Sequence, residues 1–344
     1  MTSSLHHAPH GIDDPYKPLP TERHPRDPQP GDRVSVGVQT GGDTPVQVEL
    51  HHAAGVTRHP ALALGGGGHT ADLGVVDTGD YAYHFVLEDG QRSERHAFTV
   101  GRWHAVTAIQ DIQATATGLI LTCQAEGRDA PAYVTLAVPA PGVCTVVFDA
   151  DTTVSPQGQP CRTDVQGRTA VLTAGAMTVT LDLDALTVEL AGDGSPARAS
   201  LAFRWLEGGS DLTRIEGRFE MGAGPLYGLG ERFDDADKRG RSYDVRVYEE
   251  YKEQGRRTYL PVPLVVSPDA WGVWLEADEP SDFDLRGPDA VIRLQKLPDA
   301  PTRIVLHLIV ADTAYGVTSR FVGMNGGLAV LPKWAFGPWM SSND

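Results

Sequence analysis

The sequence predicts a mainly β protein, in which a small immunoglobulin- or fibronectin-like β-sandwich precedes a large antiparallel β-sandwich. Short runs of alternating apolar and polar residues, separated by turn-forming residues, recur from Arg33 to Val310, and this pattern is typical of antiparallel strands. Helical periodicity occurs only from residue 312 onward. A parallel sheet would need helical patterns between its strands, so that class of fold is excluded.

The first segment, residues 1–32, is rich in proline, histidine, aspartate and arginine and shows no hydrophobic periodicity. We therefore expect it to lie extended along the surface or to be disordered. His6, His7 and His10 have no carboxylate or cysteine beside them at helical or turn spacing, so no metal site is predicted there.

Residues 33–103 are predicted to form the small sandwich, because about six short strands fit within this length. The clearest of them are Arg33–Val38, Val46–Leu50, Tyr81–Leu87 and His96–Val100. The run Gly65–Gly68 lacks the Lys-Ser/Thr pair and the following helix of a phosphate-binding loop. It is therefore interpreted as a hairpin tip.

Residues 104–311 are predicted to form the large antiparallel sandwich, because many strands follow one another with almost no helix. The strand-like runs are Gly118–Cys123, Tyr133–Val138, Val143–Phe148, Met177–Leu183, Leu186–Leu190, Leu201–Trp205, Leu260–Ser267, Trp271–Leu275, Val291–Leu294 and Arg303–Val310.

Residues 312–344 begin with a helical pattern and end in an apolar run. Asp312 is the candidate N-cap, and Tyr315, Ser319 and Val322 are predicted to share one helix face. The run Leu328–Asp344 would bury both faces of a strand. No partner strand follows it in this sequence, so we expect it to be the start of a further domain.

The net charge limits the classes of binding partner, and the cysteine content indicates the cellular compartment of the protein. The chain has 29 basic and 45 acidic residues, a net charge of −16, which repels nucleic acids and anionic membranes. It has no leader pattern and no apolar run long enough to span a bilayer. Cys123, Cys144 and Cys161 lack metal-ligand spacing and are predicted to be reduced thiols of a cytoplasmic protein.

A long polar connection within the stretch from Pro225 to Ser267 joins two strand-like runs. Connections of this length are usually functional or disordered. It interleaves carboxylates, arginines and tyrosines, which are the groups that bind sugar hydroxyls and stack on sugar rings. A solvated charged loop is the alternative, and Asp234, Asp235 and Asp237 are expected in a mobile part of it without partner geometry.

Four motifs in this order resemble glycoside hydrolase family 31, the α-glucosidases and α-xylosidases. They are Tyr227–Glu231, Tyr251–Ser267, Trp271–Glu276 and Leu331–Ser341. They are similar, in turn, to the family's Tyr-Gly-x-Gly-Glu element, its Pro-Phe-x-x-Ser strand, its Gly-aromatic-Gly strand and the opening of its catalytic barrel. The resemblance covers the chain from residue 104 to its end.

The resemblance implies a role for the long loop. Residues 104–311 would be the galactose-mutarotase-like sandwich that precedes the family's (β/α)₈ barrel, and its loop would help to form the aglycone side of the substrate pocket. By position, Asp244 and Arg246 would offer polar groups to sugar hydroxyls, and Tyr243 or Tyr248 would offer a stacking face. The Trp-Asn-x-Asp motif that is more usual in the family is absent here. The alternative to a sugar-binding role for Asp244 is that its side chain caps the loop.

The resemblance also implies that this chain does not catalyse on its own. Retaining glycosidases need two carboxylates about 5–5.5 Å apart, and the family's Trp-x-Asp-Met-Asn-Glu nucleophile segment does not occur in the sequence. The implied parent enzyme hydrolyses terminal α-linked glucosides or xylosides without metal or organic cofactor. The expected partners are that substrate, the catalytic barrel of the parent enzyme and, by family resemblance, further copies of the chain.

Two other interpretations stay open at this point. One is a stand-alone carbohydrate-binding or partner-binding β protein, which would be soluble as it stands. The other is a mutarotase-like isomerase, which needs a paired-histidine and carboxylate site on a concave sheet face. The only histidine beyond His104 is His307, and its place on an alternating strand favours a core or surface role.

Overall fold

The computed structural model describes residues 5–11, 17–192, 194–209, 213–248, 257–297 and 300–337. Antiparallel strands dominate these residues, and their one α-helix lies near the C-terminal end. The predicted mainly β fold is confirmed. Among the residues described, no helix is both long and apolar enough to cross a membrane.

Two four-stranded antiparallel sheets form the small sandwich. Its strands are β1 (Arg23–His24), β2 (Arg33–Gln39), β3 (Val46–His52), β4 (Gly55–Pro60), β5 (Leu62–Gly65), β6 (Gly68–Val75), β7 (Gly79–Leu87) and β8 (His96–Val100). The sheet orders are β1-β2-β6-β5 and β4-β3-β7-β8. Val34 and Val36 of one sheet and Tyr83 and Phe85 of the other are fully buried between the sheets. The predicted hairpin tip at Gly65–Gly68 joins β5 to β6.

Within the described residues, seventeen further strands build the large sandwich. They are β9 (Arg102–Ala114), β10 (Gly118–Ala125), β11 (Ala132–Ala140), β12 (Val143–Asp149), β13 (Arg162–Gln166), β14 (Thr169–Ala174), β15 (Met177–Asp182), β16 (Thr187–Ala191), β17 (Ala197–Glu207), β18 (Thr213–Glu220), β19 (Tyr227–Gly228), β20 (Ser242–Val245), β21 (Leu264–Val266), β22 (Trp271–Leu275), β23 (Ser281–Asp284), β24 (Asp289–Lys296) and β25 (Arg303–Val310).

These strands form two sheets that share β9. One sheet runs β9-β10-β11-β12-β25-β22-β21-β19. The other runs β13-β14-β15-β16-β17-β18-β24-β23-β20, and the end of β17 also pairs with the start of β9. In the core between the sheets, the ring centroids of Phe203 and Trp205 lie 5.0 and 5.1 Å, respectively, from the ring centroid of Phe148. This aromatic cluster joins the two sheets near β9 and fixes their relative positions.

The predicted helix is confirmed as α1 (Ala314–Met324), but its cap and its buried face differ from the prediction. Thr313, not Asp312, is the N-cap, because its side chain accepts a hydrogen bond from the amide of Gly316. Tyr315 is 81% exposed, whereas Val317 is fully buried. The face that packs on the sheet repeats at i, i+3 and i+7 from Ala314, a spacing that shifts the contact away from the predicted face.

The apolar C-terminal run is not a strand in its described part. Residues 328–332 have no regular structure, and Lys333–Phe336 form a 3₁₀ turn. Leu328, Val330 and Trp334 are 85%, 99% and 70% exposed. The strand prediction fails here because no described strand lies beside these residues to accept their backbone hydrogen bonds. Residues 338–344 of the same prediction lie outside the described residues.

The N-terminal segment packs against the small sandwich over its described residues. His6 and Gln39 exchange two backbone hydrogen bonds of 2.9 Å, and Arg23 is fully buried with its guanidinium 4.7 Å from the Phe98 ring. The three cysteines are free thiols. Burial raises the pKa of Cys123 and Cys144 to about 12, so these two thiols stay protonated and unreactive at neutral pH.

Candidate functional site

The Tyr-Gly-Leu-Gly-Glu motif is a tight backbone crossing over the chain that returns to the sandwich. Gly228, Leu229 and Gly230 have φ values of 111°, 63° and 88°, the left-handed region that side chains disfavour. The amide of Leu229 donates to Leu264 O at 2.9 Å, and the amide of Glu231 donates to Leu260 O at 3.1 Å. A Cβ added to Gly230 would overlap the carbonyl oxygen of Leu260. The motif therefore holds the two ends of the long loop together.

Arg232 connects this crossing to the strand that carries the candidate residues. Its Nε donates to Leu229 O at 2.8 Å, and its Nη2 donates to the backbone oxygen of Asp244 at 2.7 Å. Its guanidinium also lies 5.1 Å from the ring centroid of Tyr243. Burial lowers the pKa of Arg232 from its ordinary value, but the guanidinium stays charged at neutral pH. Its contacts fix the position of β20 relative to the motif.

The acidic residues after the motif have well-defined partners, contrary to the expectation of a loop without partner geometry. The carboxylate of Asp234 accepts from Lys238 Nζ at 2.6 Å and from the Tyr243 hydroxyl at 2.8 Å, and Asp235 pairs with Arg241. Burial alone would raise the pKa of Asp234, but the hydrogen bonds from Lys238 and Tyr243 hold it below its ordinary value. The sequence could not reveal these partners because the pairing depends on how the loop folds back.

A row of charged side chains crosses five neighbouring strands and ends at Asp244. In register order the row is Arg204, Glu216, Arg293, Asp282 and Asp244. Glu216 accepts from Arg204 and Arg293 at 3.1 Å each. Arg293 also donates to Asp282 at 3.0 Å. The row thus alternates in sign until its end, where two carboxylates stand opposite each other, an unfavourable cross-strand pair.

Asp244 is a half-buried carboxyl on the last strand of this sheet. Burial raises the pKa of Asp244 to about 6; the nearby Arg246 acts against this increase and Asp282 adds to it. Burial likewise raises the pKa of Asp282 above its ordinary value. Asp244 is therefore partly protonated near pH 6 and can either donate or accept a hydrogen bond.

The two candidate tyrosines lie in different environments. Tyr243 is fully buried, and burial together with its bond to Asp234 raises its pKa to about 12. Its ring therefore has no face open to a ligand, and the stacking role predicted for Tyr243 is wrong in this structure. Tyr248 is half-buried, and the guanidinium of Arg257 lies 4.6 Å from its ring centroid. Of the two, only Tyr248 can offer an accessible ring edge or face.

Exposed aromatic residues that the sequence analysis did not single out lie around the same loop. Tyr227, Phe233 and Tyr259 are 40%, 65% and 36% exposed. Tyr227 begins the motif and Tyr259 lies on the returning chain, so both are neighbours of the crossing at Gly230. Residues 249–256, including Tyr251 and Arg256 of the predicted sugar-binding stretch, lie outside the described residues.

Replacing Asp244 with asparagine should stabilise the chain in a pH-dependent way. The raised pKa means that the folded state binds the proton more tightly than the unfolded state, so the wild-type chain loses stability as pH rises from about 4 to about 6. A shift of about two pKa units corresponds to about 3 kcal/mol, and solvent screening at this partly exposed site reduces the expected gain to about 1–2 kcal/mol. Denaturation midpoints of Asp244→Asn and wild type should coincide near pH 4 and separate above pH 6.

Asp284→Asn is the matched control on the neighbouring strand. The hydrogen bond from Arg286 lowers the pKa of Asp284 to about 2, so the same substitution there should destabilise the chain and do so at neutral pH. If the denaturation midpoints of the two variants shifted by the same amount and in the same direction, the charge environments described for Asp244 on β20 and Asp284 on β23 would be wrong.

His307 is buried, and so takes the first of the two roles, core or surface, that the sequence favoured. It is 3% exposed, its ring stacks on Trp274 at 4.3 Å, and its Nε2 lies 2.7 Å from an oxygen of Glu276. Burial lowers its pKa despite this bond. The ring centroid of Trp274 in turn lies 5.2 Å from that of Phe321 in α1. The stacked pair of His307 and Trp274 therefore supports the docking of the helix and does not form an open isomerase site.

Two parts of the chain match known protein families. Residues 141–284 match the glycosyl hydrolase 31 N-terminal galactose mutarotase-like domain, and residues 6–52 match the Lmo2446-like N-terminal family. An isomaltosyltransferase from Sporosarcina globispora is 27% identical over 99% of this chain. A 1,3-α-isomaltosidase from Kribbella flavida is 33% identical over 45% of this chain and 22% of its own length.

A solved structure shares the fold. The cycloalternan-forming enzyme from Listeria monocytogenes, in complex with a pentasaccharide substrate, superposes on 98% of this chain with a TM-score of 0.84 at 24% identity. The chain spans about a third of the length of this enzyme and of the Sporosarcina relative, 34% in each case. Residues 141–284 therefore carry an N-terminal galactose mutarotase-like domain of the kind found in glycoside hydrolase family 31.

Proposed function

We propose that this chain is the N-terminal, non-catalytic part of a retaining α-glycosidase or α-glycosyl transferase that acts on α-linked glucose oligosaccharides. In this proposal the strand β20 and the residues after it present Asp244, Arg246 and Tyr248 to the sugar on the leaving-group side. The names of two relatives, an isomaltosyltransferase and an isomaltosidase, support isomaltosyl units as the substrate.

The observation that carries this proposal is the position of Asp244. It lies at the end of the charged row, on the last strand of the sheet, with a pKa of about 6 and Arg246 close enough to influence it. A carboxyl that can donate or accept and a guanidinium that only donates are suited to neighbouring sugar hydroxyls. The motif and Arg232 keep this pair in a fixed place, which is what selective recognition needs.

The carboxylates of the described residues support a non-catalytic role. Asp244 and Asp282 form a close pair, but Asp282 is held by Arg293 within the sheet. A nucleophile and an acid/base on opposite sides of a scissile bond both need access to the sugar. The proposal therefore assigns the two catalytic carboxylates to a barrel that joins this chain in the parent enzyme. The predicted cytoplasmic location and self-association stay predictions.

The test is the activity and stereochemistry of the parent enzyme that contains this chain. Incubation with isomaltose and panose should release or transfer glucose or isomaltosyl units, and proton NMR should show the α-anomer as the first product. An initial β-anomer, or no turnover of any α-linked glucose oligosaccharide, would remove the proposed function.

A further inference from the structure

The small sandwich brings together three metal-ligating side chains that the sequence analysis did not connect. Glu49 and His51 are two residues apart on β3, so they point to the same face of the sheet. His84 lies directly opposite Glu49 in the pairing of β3 with β7. Val48 and Leu50, which alternate with them, are buried in the core, so the three ligating groups lie on the outer face.

The geometry of the three groups fits one ion. One ligand atom from each of Glu49, His51 and His84 lies within 4.8 Å of the other two, and Oε2 of Glu49 is 3.0 Å from Nε2 of His84. Two ligands about 2.0–2.2 Å from one metal ion, at right or tetrahedral angles, lie about 3.0–3.5 Å apart.

In each tautomer of His84, the Nε2 atom can hydrogen-bond to only one of its two close neighbours. Its Nε2 lies 3.0 Å from the Glu49 carboxylate and also 3.0 Å from Nη1 of Arg92. A protonated Nε2 suits the acceptor Glu49 but opposes the donor Arg92, and an unprotonated Nε2 does the reverse. A divalent cation in place of the Arg92 guanidinium would suit both the nitrogen and the carboxylate.

His51 provides an independent observation. Its Nε2 is buried and has no hydrogen-bond partner among the described residues, and buried polar atoms of this kind call for a partner. Its ring centroid lies 5.2 Å from that of His84. His51 also lines an open depression of about 310 Å³.

We propose that Glu49, His51 and His84 form a binding site for a zinc-like divalent transition-metal ion on the outer face of the small sandwich. Two imidazoles and one carboxylate are a ligand set that Zn²⁺ accepts, with a further position left for water. Arg58 and Arg92 now pair with Glu49 at 2.9 and 3.2 Å. Their side chains are 69% and 55% exposed, so either can turn to solvent when an ion enters.

The site does not depend on the proposed glycosidase function, and its test uses the chain alone. Equilibrium dialysis of metal-free protein against Zn²⁺ should show one ion per chain, and Co²⁺ should give the visible absorption bands of a bound ion. His51→Ala and His84→Ala should each weaken binding by more than about tenfold, because each removes one of three ligands. His59→Ala, a partly exposed histidine on β4 outside the cluster, should bind as wild type does.

Arg92→Ala separates a metal site from a purely structural ion-pair network. If the guanidinium competes with the ion for Glu49 and His84, its removal should tighten Zn²⁺ binding several-fold. Unchanged or weaker binding in Arg92→Ala, or unchanged binding in His51→Ala, would overturn the proposal. Binding that is lost in a His6→Ala, His10→Ala double variant but kept in His84→Ala would place the ion in the N-terminal segment and would overturn it as well.

Discussion

Gly230→Ala is expected to lower the free energy of unfolding by about 3 kcal/mol or more, because it combines backbone strain with steric overlap. The φ of 88° at Gly230 is strained for any L side chain, a cost of about 1–2 kcal/mol. The added Cβ would also overlap the carbonyl oxygen of Leu260, so the chain crossing must open. Opening it breaks the hydrogen bond from Glu231 to Leu260 and loosens the base of the loop.

Gly240→Ala is the matched control for this prediction. Gly240 lies in the same loop and has a similar φ of 79°, but a Cβ there would have nothing within 4 Å. It should therefore show the backbone strain alone, about 1–2 kcal/mol. Urea denaturation measures the free energy of unfolding of both variants. If both lost the same amount of stability relative to wild type, the close backbone crossing at Gly230 would not be formed.

The sequence was sufficient for most of the fold because strand alternation is a local signal. The predicted run Val143–Phe148 and the observed strand Val143–Asp149 differ by one residue, and Trp271–Leu275 was predicted with its observed bounds. The position of the helix was also correct. Its buried face was not, because Val317 and Phe321 are selected by the shape of the sheet beneath them and not by the helix itself.

The candidate site was predictable only in part, because its decisive features are non-local. The motif and the positions of Asp244 and Arg246 were visible in the sequence. The burial of Tyr243 was not, since it depends on Asp234 and Lys238 folding back over the ring. The cross-strand register that places Asp282 opposite Asp244 also cannot be read from either strand alone.

Asp244→Ala and Arg246→Ala in the parent enzyme are expected to lower kcat/KM for an α-linked disaccharide by about 10–100-fold, mainly through a higher KM. A hydrogen bond to a charged group contributes about 1.5–3 kcal/mol, and its loss affects the bound sugar before the reaction as well as during it. Asp244→Ala should not unfold the protein, since removing this half-buried carboxyl is expected to stabilise the sandwich. Asp289→Ala, an exposed substitution on β24, is the control for non-specific effects.

The central claim is that Asp244 and Arg246 contact the leaving-group sugar, and the most direct measurement compares two substrates in the same variants. Isomaltose has a leaving-group sugar, whereas an aryl α-glucoside has an aromatic ring in its place. Our account predicts a higher KM for isomaltose in Asp244→Ala and Arg246→Ala, with the constants for the aryl glucoside close to wild type. Unchanged KM for isomaltose, or an equal loss on both substrates, would contradict it.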